Sequence, residues 1–492
     1  MDRPYVTENP DNLRRKWDSC PVAGLSTTRS PAWSLERWKA VRDLITGWYG
    51  DDRPDVEAVP ELVEARVGWL DPVQRLVVER LFAGWRAIFP KDSQIGVDLN
   101  PDPSSVFDHE RRVELRVQPT VSFTRADGSV ERVRLRTGTR TSGADDAAVL
   151  VTSHPEAVTL DALVGAGVAE DVTASSDTAS RLEELFELAV RDVDRRTDLN
   201  PGVHCFSCPS APRCGQYPVV GQGRVFVSTR SISVSKTALG WLGTCERRVA
   251  WDRLHQIPVH VDEETQTRRG LATGIVFHET AASAIFSDDP SSVVEAACAR
   301  VAPAEASELR RLWDNHETLW ETDGQSQART VEYPAGFTLM VPGIHVDSRG
   351  NESLQPVAVT FIGILDVTGR ELDGTPMVVE HRTGASGEHG PLELDLYAVS
   401  AAEAVRRATG HPPETLAVHL HHLGPSDPVC RRTAFDAETL RLALDRLRAA
   451  ADRIAGWHPD RSLAPDYSVG PWCASCRHRP TCEEFRRGRQ VS

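Results

Sequence analysis

Lysine is nearly missing from this 492-residue chain. It occurs only at Lys16, Lys39, Lys91 and Lys236, so arginine makes up almost all of the 56 basic residues. Arginine stays protonated at accessible pH, so chemistry that needs a titrating amine has few side chains to draw on. Long apolar runs are missing too. The longest, VAVTFIGIL at 357–365, is strand-sized and too short to cross a bilayer. The first twenty residues carry no apolar signal core, and a cytoplasmic protein with no membrane partner is expected. No G-x4-G-K-[ST] loop occurs, so any unwinding of nucleic acid would fall to a separate motor. Net positive charge is absent as well. A formal charge of −15 argues against a broadly basic nucleic-acid coat. It leaves room for a local basic groove, and arginines cluster at Arg247–Arg248, Arg268–Arg269, Arg477–Arg479 and Arg486–Arg489.

What is present is a globular composition, 40% hydrophobic and 26% charged. The length calls for two or three domains. There are ten cysteines, and in a reducing compartment clustered cysteines are more often metal ligands than disulfides. Six of them form C-x2-C-x5-C twice: Cys205, Cys208 and Cys214, then Cys473, Cys476 and Cys482. Each half also has an earlier lone cysteine, Cys20 or Cys245, shortly after Trp17 or Trp241. Sulfur-rich ligation suits zinc or an iron–sulfur cluster, and spacing alone does not separate them. Cys298 and Cys430 read as ordinary buried thiols.

The repetition extends beyond cysteine. VELRVQPTVSFTRADGSVERVRLRTG at 113–138 and FIGILDVTGRELDGTPMVVEHRTG at 361–384 are each an extended run, an Asp-Gly turn and a second extended run ending Arg-Thr-Gly. Asp-Gly between β-rich runs is a hairpin signal. Aligning Arg136–Gly138 with Arg382–Gly384 matches the turns Asp127–Gly128 and Asp373–Gly374 without a gap. Each hairpin is followed by an amphipathic helix, striped by Leu182, Leu185, Phe186, Ala189 and Val193 or by Leu440, Leu444, Leu447, Ala451 and Ile454. The pattern predicts a duplication, with domains at 1–220 and 225–492 joined through the Gly- and Pro-containing stretch 215–224.

In the second half, Asp366 ends one predicted strand and Glu380 ends its partner. Two carboxylates on neighbouring strands suit a hard divalent cation, which can bridge phosphate oxygens and lower the pKa of bound water. Upstream, Gly270, Gly274 and His278 fall at i, i+4 and i+8 of a predicted helix, on or near one face. His419, His421 and His422 in VHLHHLG read as plain strand residues rather than ligands.

Taken in order, Cys245, G-x3-G-x3-H, GILD, VVEHRTG, ELDLY and C-x2-C-x5-C resemble the RecB/AddB-type branch of the PD-(D/E)xK nucleases, including the CRISPR-associated RecB-like nucleases. The resemblance covers about 228–485. It implies an α/β fold, two tandem restriction-endonuclease-like domains, each a central mixed sheet flanked by helices. It implies Mg²⁺ or Mn²⁺ on His278, Asp366 and Glu380 with the carbonyl of His381, Tyr397 as the tyrosine of a helical motif, and a [4Fe–4S] cluster on Cys245, Cys473, Cys476 and Cys482. A second cluster on Cys20, Cys205, Cys208 and Cys214 would follow if the first half kept the same clasp, with zinc as the other occupant. DNA, single-stranded or at ends, is the implied substrate, and a helicase or other subunit a possible partner.

Two positions depart from the family pattern: Arg382 replaces its lysine and Glu393 its glutamine. Arg382 could orient water or neutralise a phosphate but not act as a base, so cleavage is expected to be weakened. The only lysine beyond the boundary is Lys236, whose early place in the chain argues against it. The ungapped alignment puts Thr120 at Asp366, Arg134 at Glu380 and Arg136 at Arg382, so the first copy is expected to be degenerate. The leading reading is a divalent-metal-dependent DNA nuclease, or nuclease-like subunit, in repair, recombination or defence against foreign DNA. The others are a non-catalytic Fe–S DNA-binding protein and a scaffold subunit.

Overall fold

The computed structural model describes residues 6–10, 13, 33–51, 55–91, 96–137, 143–173, 175, 177–190, 217–220, 230–255, 257, 261–322, 327–346, 351–384, 391–424, 427–463, 465–470, 472–473, 476 and 478–488. The cysteines at 20, 205, 208 and 214 lie outside these residues. The chain forms two compact units. The first is Met1–Asn200, His255–Val261 and Cys476–Ser492; the second is Pro201–Leu254 and Asp262–Ser475.

The first unit runs β1 (Val6–Glu8), α1 (Trp33–Tyr49), α2 (Asp55–Val67), α3 (Pro72–Ile88), β2 (Gly96–Asp98), β3 (Ser104–Asp108), β4 (Val113–Val117), β5 (Val121–Thr124), β6 (Val130–Arg136), α4 (Ala144–Ser153), β7 (Val158–Leu163), β8 (Val168–Asp171) and α5 (Thr178–Val190). Asp71 caps α3 by accepting from Val73 N at 3.0 Å, with Pro72 in the first helical position where its missing N–H costs nothing. Trp85 and Phe89 of the α3 end pack on Phe123 of β5.

The second unit holds β9 (Arg230–Ser235), α6 (Lys236–Leu242), α7 (Glu246–Arg253), α8 (Val261–Ala284), α9 (Pro290–Cys298), α10 (Pro303–Thr322), β10 (Gln327–Val346), β11 (Glu352–Arg370), β12 (Pro376–Arg382), α11 (Pro391–Thr409), β13 (Thr415–His422), β14 (Val429–Asp436) and α12 (Ala437–Ala455). The last helix, α13 (Arg479–Gly488), belongs to the first unit, where Arg80 of α3 donates to Thr481 Oγ1 at 3.2 Å. Among the described residues no helix is long and apolar enough to cross a membrane.

Sheet order is β2-β5-β6-β7-β8 in one unit and β10-β11-β12-β13-β14 in the other, where β9 also pairs with β11. Successive pairs run antiparallel, antiparallel, parallel, antiparallel in both. The parallel step needs a crossover, supplied by α4 in one unit and α11 in the other. Both Asp-Gly turns place glycine at positive φ, Gly128 at 84° and Gly374 at 88°, a conformation other residues rarely adopt. The aligned hairpins even share a contact. Leu135 N donates to Thr120 Oγ1 at 2.9 Å, and His381 N donates to Asp366 Oδ2 at 2.7 Å.

The run at 357–365 is buried nearly throughout because helices cover both faces of the second unit's sheet. One face packs on α6, α7, α11 and α12 through Leu239, Val249, Tyr397 and Leu447. Helices α8, α9 and α10 build a separate core from Phe277, Val294 and Leu309. Two of the clustered arginines have structural work here rather than lining a groove. Arg247 donates to the carbonyls of Leu463 and Pro465 at 2.8 and 3.2 Å, and the Arg248 guanidinium sits 3.5 Å from the Trp241 ring centroid.

Candidate metal centre

β11 and β12 form an antiparallel hairpin whose register runs from Arg370 opposite Pro376 to Val367 opposite Val379. One step further along, Asp366 comes beside Glu380. It lies four residues inside β11, not at a strand end as the sequence suggested, because β11 continues toward the Asp-Gly turn. Asp366 is 5% exposed and Glu380 fully buried. On the edge of β11 opposite β10, β9 runs parallel along Val357–Ile362 and ends at Ser235. Ser235 caps α6, accepting from Ala238 N at 3.4 Å. Lys236 is therefore the first helical residue, delivered to the stretch of β11 just before Asp366. Its ammonium pairs with Glu380 Oε1. The same oxygen accepts from Tyr397 Oη at 2.8 Å. Lys236 also lies 5.8 Å from the Tyr397 ring centroid.

Arg382 does not enter this arrangement as the lysine would. It pairs with Glu393 and reaches Tyr397 Oη at 3.4 Å. His278, carried by α8, places Nδ1 3.4 Å from Asp366 Oδ1. Gly274, one turn earlier, lets α8 approach β12 closely: a Cβ there would stand 3.1 Å from Thr383 Oγ1. A third carboxylate joins the group. Glu332 of β10 lies 3.7 Å from His278 Nδ1 and adopts φ 48°, a backbone state costly for a residue with a side chain.

The charges are strongly coupled. Burial alone would push the Asp366 carboxyl up, but Lys236 and then His278 outweigh it and hold it below the ordinary carboxylate range. Burial pushes Glu380 up, and the Asp366 charge adds to this, while Lys236 and Arg382 oppose without cancelling it. Burial lowers His278, yet Asp366 reverses the sign and its pKa is raised. Glu332 is raised by burial and by Asp366. Lys236, despite burial, is raised by Glu380 and Asp366.

The donor set fits a divalent cation. Ligand atoms of His278, Asp366 and His381 lie within 4.8 Å of one another. Glu380 Oε2 is buried without a hydrogen-bond partner, an expensive state for a carboxylate oxygen that a bound cation would relieve.

The structure places His278, Asp366, Glu380, Arg382 and Tyr397 within one cluster. Lys236 and Glu332 join them against or beyond the sequence reading. Order along the chain argued against Lys236, but a parallel strand pairing carries it back to the acids. Its being the sole lysine of the unit was the available signal. Glu332 gave none, since its placement depends on the register of a twenty-residue strand.

A mixed sheet with acids side by side on adjoining strands, flanked by helices on both faces, defines an α/β protein of restriction-endonuclease-like fold in this unit. The family model described as PD-(D/E)XK nuclease superfamily matches residues 233–483. That is just over half of the chain, and the chain belongs to this superfamily. No curated protein matches the sequence. The solved structure titled "Crystal structure of SSO0001" is 16% identical, with 51% of this chain and 86% of that one covered and a TM-score of 0.21.

Proposed function

We propose that the chain is a divalent-cation-dependent DNA nuclease whose catalytic amine is Lys236. The observation that carries this is the Lys236 ammonium against Glu380 Oε1, in the one place where the family pattern had left only arginine. Asp366, Glu380 and His278 would hold Mg²⁺ or Mn²⁺, with the carbonyl of His381. The bound ion supplies positive charge at phosphate oxygens and a lowered pKa for water. Lys236 holds a proton at Nζ and orients both Glu380 and an incoming water. Tyr397 donates to Glu380 and fixes its rotamer. Arg382, locked to Glu393, presents its guanidinium toward the substrate phosphate.

The expected outcome for Asp366→Ala is loss of Mn²⁺-dependent cleavage of labelled DNA, with DNA binding kept or improved because a carboxylate that repels phosphate is gone. Wild-type protein that binds DNA but never cleaves it under Mg²⁺ or Mn²⁺ would favour the non-catalytic reading.

The RecB/AddB-type assignment adds a cluster. Cys245, Cys473 and Cys476 are half-buried and, with Cys482, form no disulfide; four thiolates suit [4Fe–4S]. The approach of the C-terminal segment to the Cys245 helix supports the clasp on the side of the second unit. Arg247 N donates to Asp466 O at 2.9 Å and Trp251 Nε1 to Ser462 O at 2.7 Å. Anaerobically purified protein should carry about four irons per chain, or about eight if Cys20, Cys205, Cys208 and Cys214 hold a second cluster. Zinc without iron would overturn the assignment. The matching sheet order and the shared hairpin hydrogen bond support the first unit as a degenerate copy. Repair, recombination or defence, with a separate helicase, is the setting this activity would suit.

A further inference from the structure

Behind the acidic site lies a second group of ligand-type side chains. His316 of α10, His381 of β12 and His421 of β13 offer ring nitrogens that lie within 4.8 Å of one another. All three are buried, 3%, 3% and 0% exposed. The local structure explains the meeting. His381 and His421 are register partners in the parallel pair β12–β13, so their side chains stand side by side on one face. Glu380, one residue earlier, points to the other face. His316 comes down from α10, its ring centroid 4.8 Å from that of His381. Trp313, Trp320 and Phe277 pack around them.

Buried polar atoms are nearly always hydrogen-bonded. Here His316 Nδ1 and His381 Nε2 are buried and have no hydrogen-bond partner. The other ring nitrogen of His381 faces Asp366 Oδ2 at 3.8 Å. A carboxylate near one imidazole nitrogen, with the opposite nitrogen buried and unbonded, resembles the arrangement that orients a metal-bound histidine. A neighbouring group, His419, His421 and Cys430, is also within ligand spacing. There the polar atoms are already occupied: His419 Nε2 bonds Glu371 Oε1 at 2.8 Å and its Nδ1 meets Cys430 Sγ at 3.7 Å. In the buried trio two ring nitrogens, His316 Nδ1 and His381 Nε2, have no such partner.

We infer that His316, His381 and His421 form a nitrogen-only site for a borderline transition cation of the Zn²⁺ class, distinct in donor type from the neighbouring oxygen-rich centre proposed for Mg²⁺ or Mn²⁺, which it adjoins through His381. Donor type sorts the two ions. Hard cations seek oxygen, and three neutral imidazoles suit zinc. Three nitrogens on one tetrahedral zinc stand about 3.3 Å apart, so small ring rotations close the set. The ion would tie α10 to β12 and β13 and so hold the strand end that carries Glu380. The inference does not depend on cleavage: its readout is metal binding.

The test uses the full chain, stripped with a chelator and titrated with Zn²⁺ or Co²⁺, against the His316→Phe/His421→Phe double variant. Neither residue is a proposed ligand of the acidic site; both adjoin it only through His381. Wild type should bind about one more Zn²⁺ per chain than the variant. The Co²⁺ difference spectrum should show ligand-field bands without thiolate charge transfer, which separates this site from any cysteine-bound metal. Equal zinc in both proteins, or a featureless difference spectrum, overturns the inference. If the double variant does not fold, His316→Gln alone is read by the same two criteria. A wild type that shows the zinc difference but never cleaves DNA would count against the nuclease reading only.

Discussion

The side chain that changes the reading most is Lys236. Arg382 stands two residues after Glu380, where the family keeps lysine, yet the structure spends it on Glu393 and Tyr397. Its charge never leaves it, so it can steer a phosphate but not exchange a proton. Lys236 sits on the acid itself. The two positions make opposite predictions. Lys236→Met should lower Mn²⁺-dependent cleavage by about 10²–10³-fold, the usual cost of removing one electrostatic contributor. Arg382→Lys should not raise the rate, because the amine is already supplied. Single-turnover rates at saturating Mn²⁺ decide between them. A Lys236→Met protein of full activity, with Arg382→Lys faster than wild type, would return the catalytic role to position 382.

Elements show how much could be read in advance. The two Asp-Gly hairpins, the helices after them and the acids at 366 and 380 were legible because each depends on local patterning and turn chemistry. Three things were not. The pairing of β9 with β11 joins residues more than a hundred apart, and nothing in a six-residue strand announces its partner. The helices α9 and α10 carried no chemical motif, so His316 went unnoticed. The histidines of β13 read as strand residues, which they are; only the parallel register with β12 shows that His421 lies beside His381. This layer between β12, β13 and α10 makes a prediction of its own. Burial, and then His421, pull the His316 pKa down to about 3. His381 is depressed by burial in the same direction. Below the ordinary histidine pKa the unfolded chain takes up a proton that folded His316 refuses. Stability from this group is complete above about pH 6.5 and falls as the pH drops toward 3, by about 1.4 kcal/mol per pH unit. His278 runs the other way: its raised pKa adds stability at low pH that is lost as the pH rises. The buried acids with raised values do likewise, so the comparison must be between proteins. Urea unfolding of chelator-treated wild type and His316→Phe at about pH 7 and pH 5 isolates the group. Wild type should lose more stability than the variant across that interval; parallel losses would mean that His316 is protonated in the fold.

At the scale of the whole molecule, two sheets of matching strand order carry different side chains at their aligned positions. In the second unit the hairpin contact is made by a carboxylate, Asp366, and the position opposite holds Glu380. In the first, a hydroxyl makes it, Thr120, and the matching position holds Arg134. The first unit then closes its own charges. Arg134 pairs with Asp146 at 2.6 Å, and Arg136 reaches Asp161 at 3.4 Å. Asp146 and Asp161 are both fully buried. Arginines offer a cation no ligand, so on the proposed reading these charges serve stability where the acids of the second unit serve chemistry. Substitutions at the two sites should therefore dissociate. Arg134→Glu leaves Asp146 buried beside another acid without its partner, a change worth about 3–5 kcal/mol. It should lower the unfolding transition of the first unit and leave Mn²⁺-dependent cleavage, measured below that transition, within a few-fold of wild type. Asp366→Ala should remove cleavage and leave the first unit's transition where it is; the second unit's transition should fall, because His381 N and His278 lose the carboxylate they face. Calorimetry and a cleavage assay on the same preparations check both arms. If Arg134→Glu abolished cleavage with the fold intact, the first unit would have to be counted part of the catalytic machinery, and its arginines would be more than the residue of a lost site.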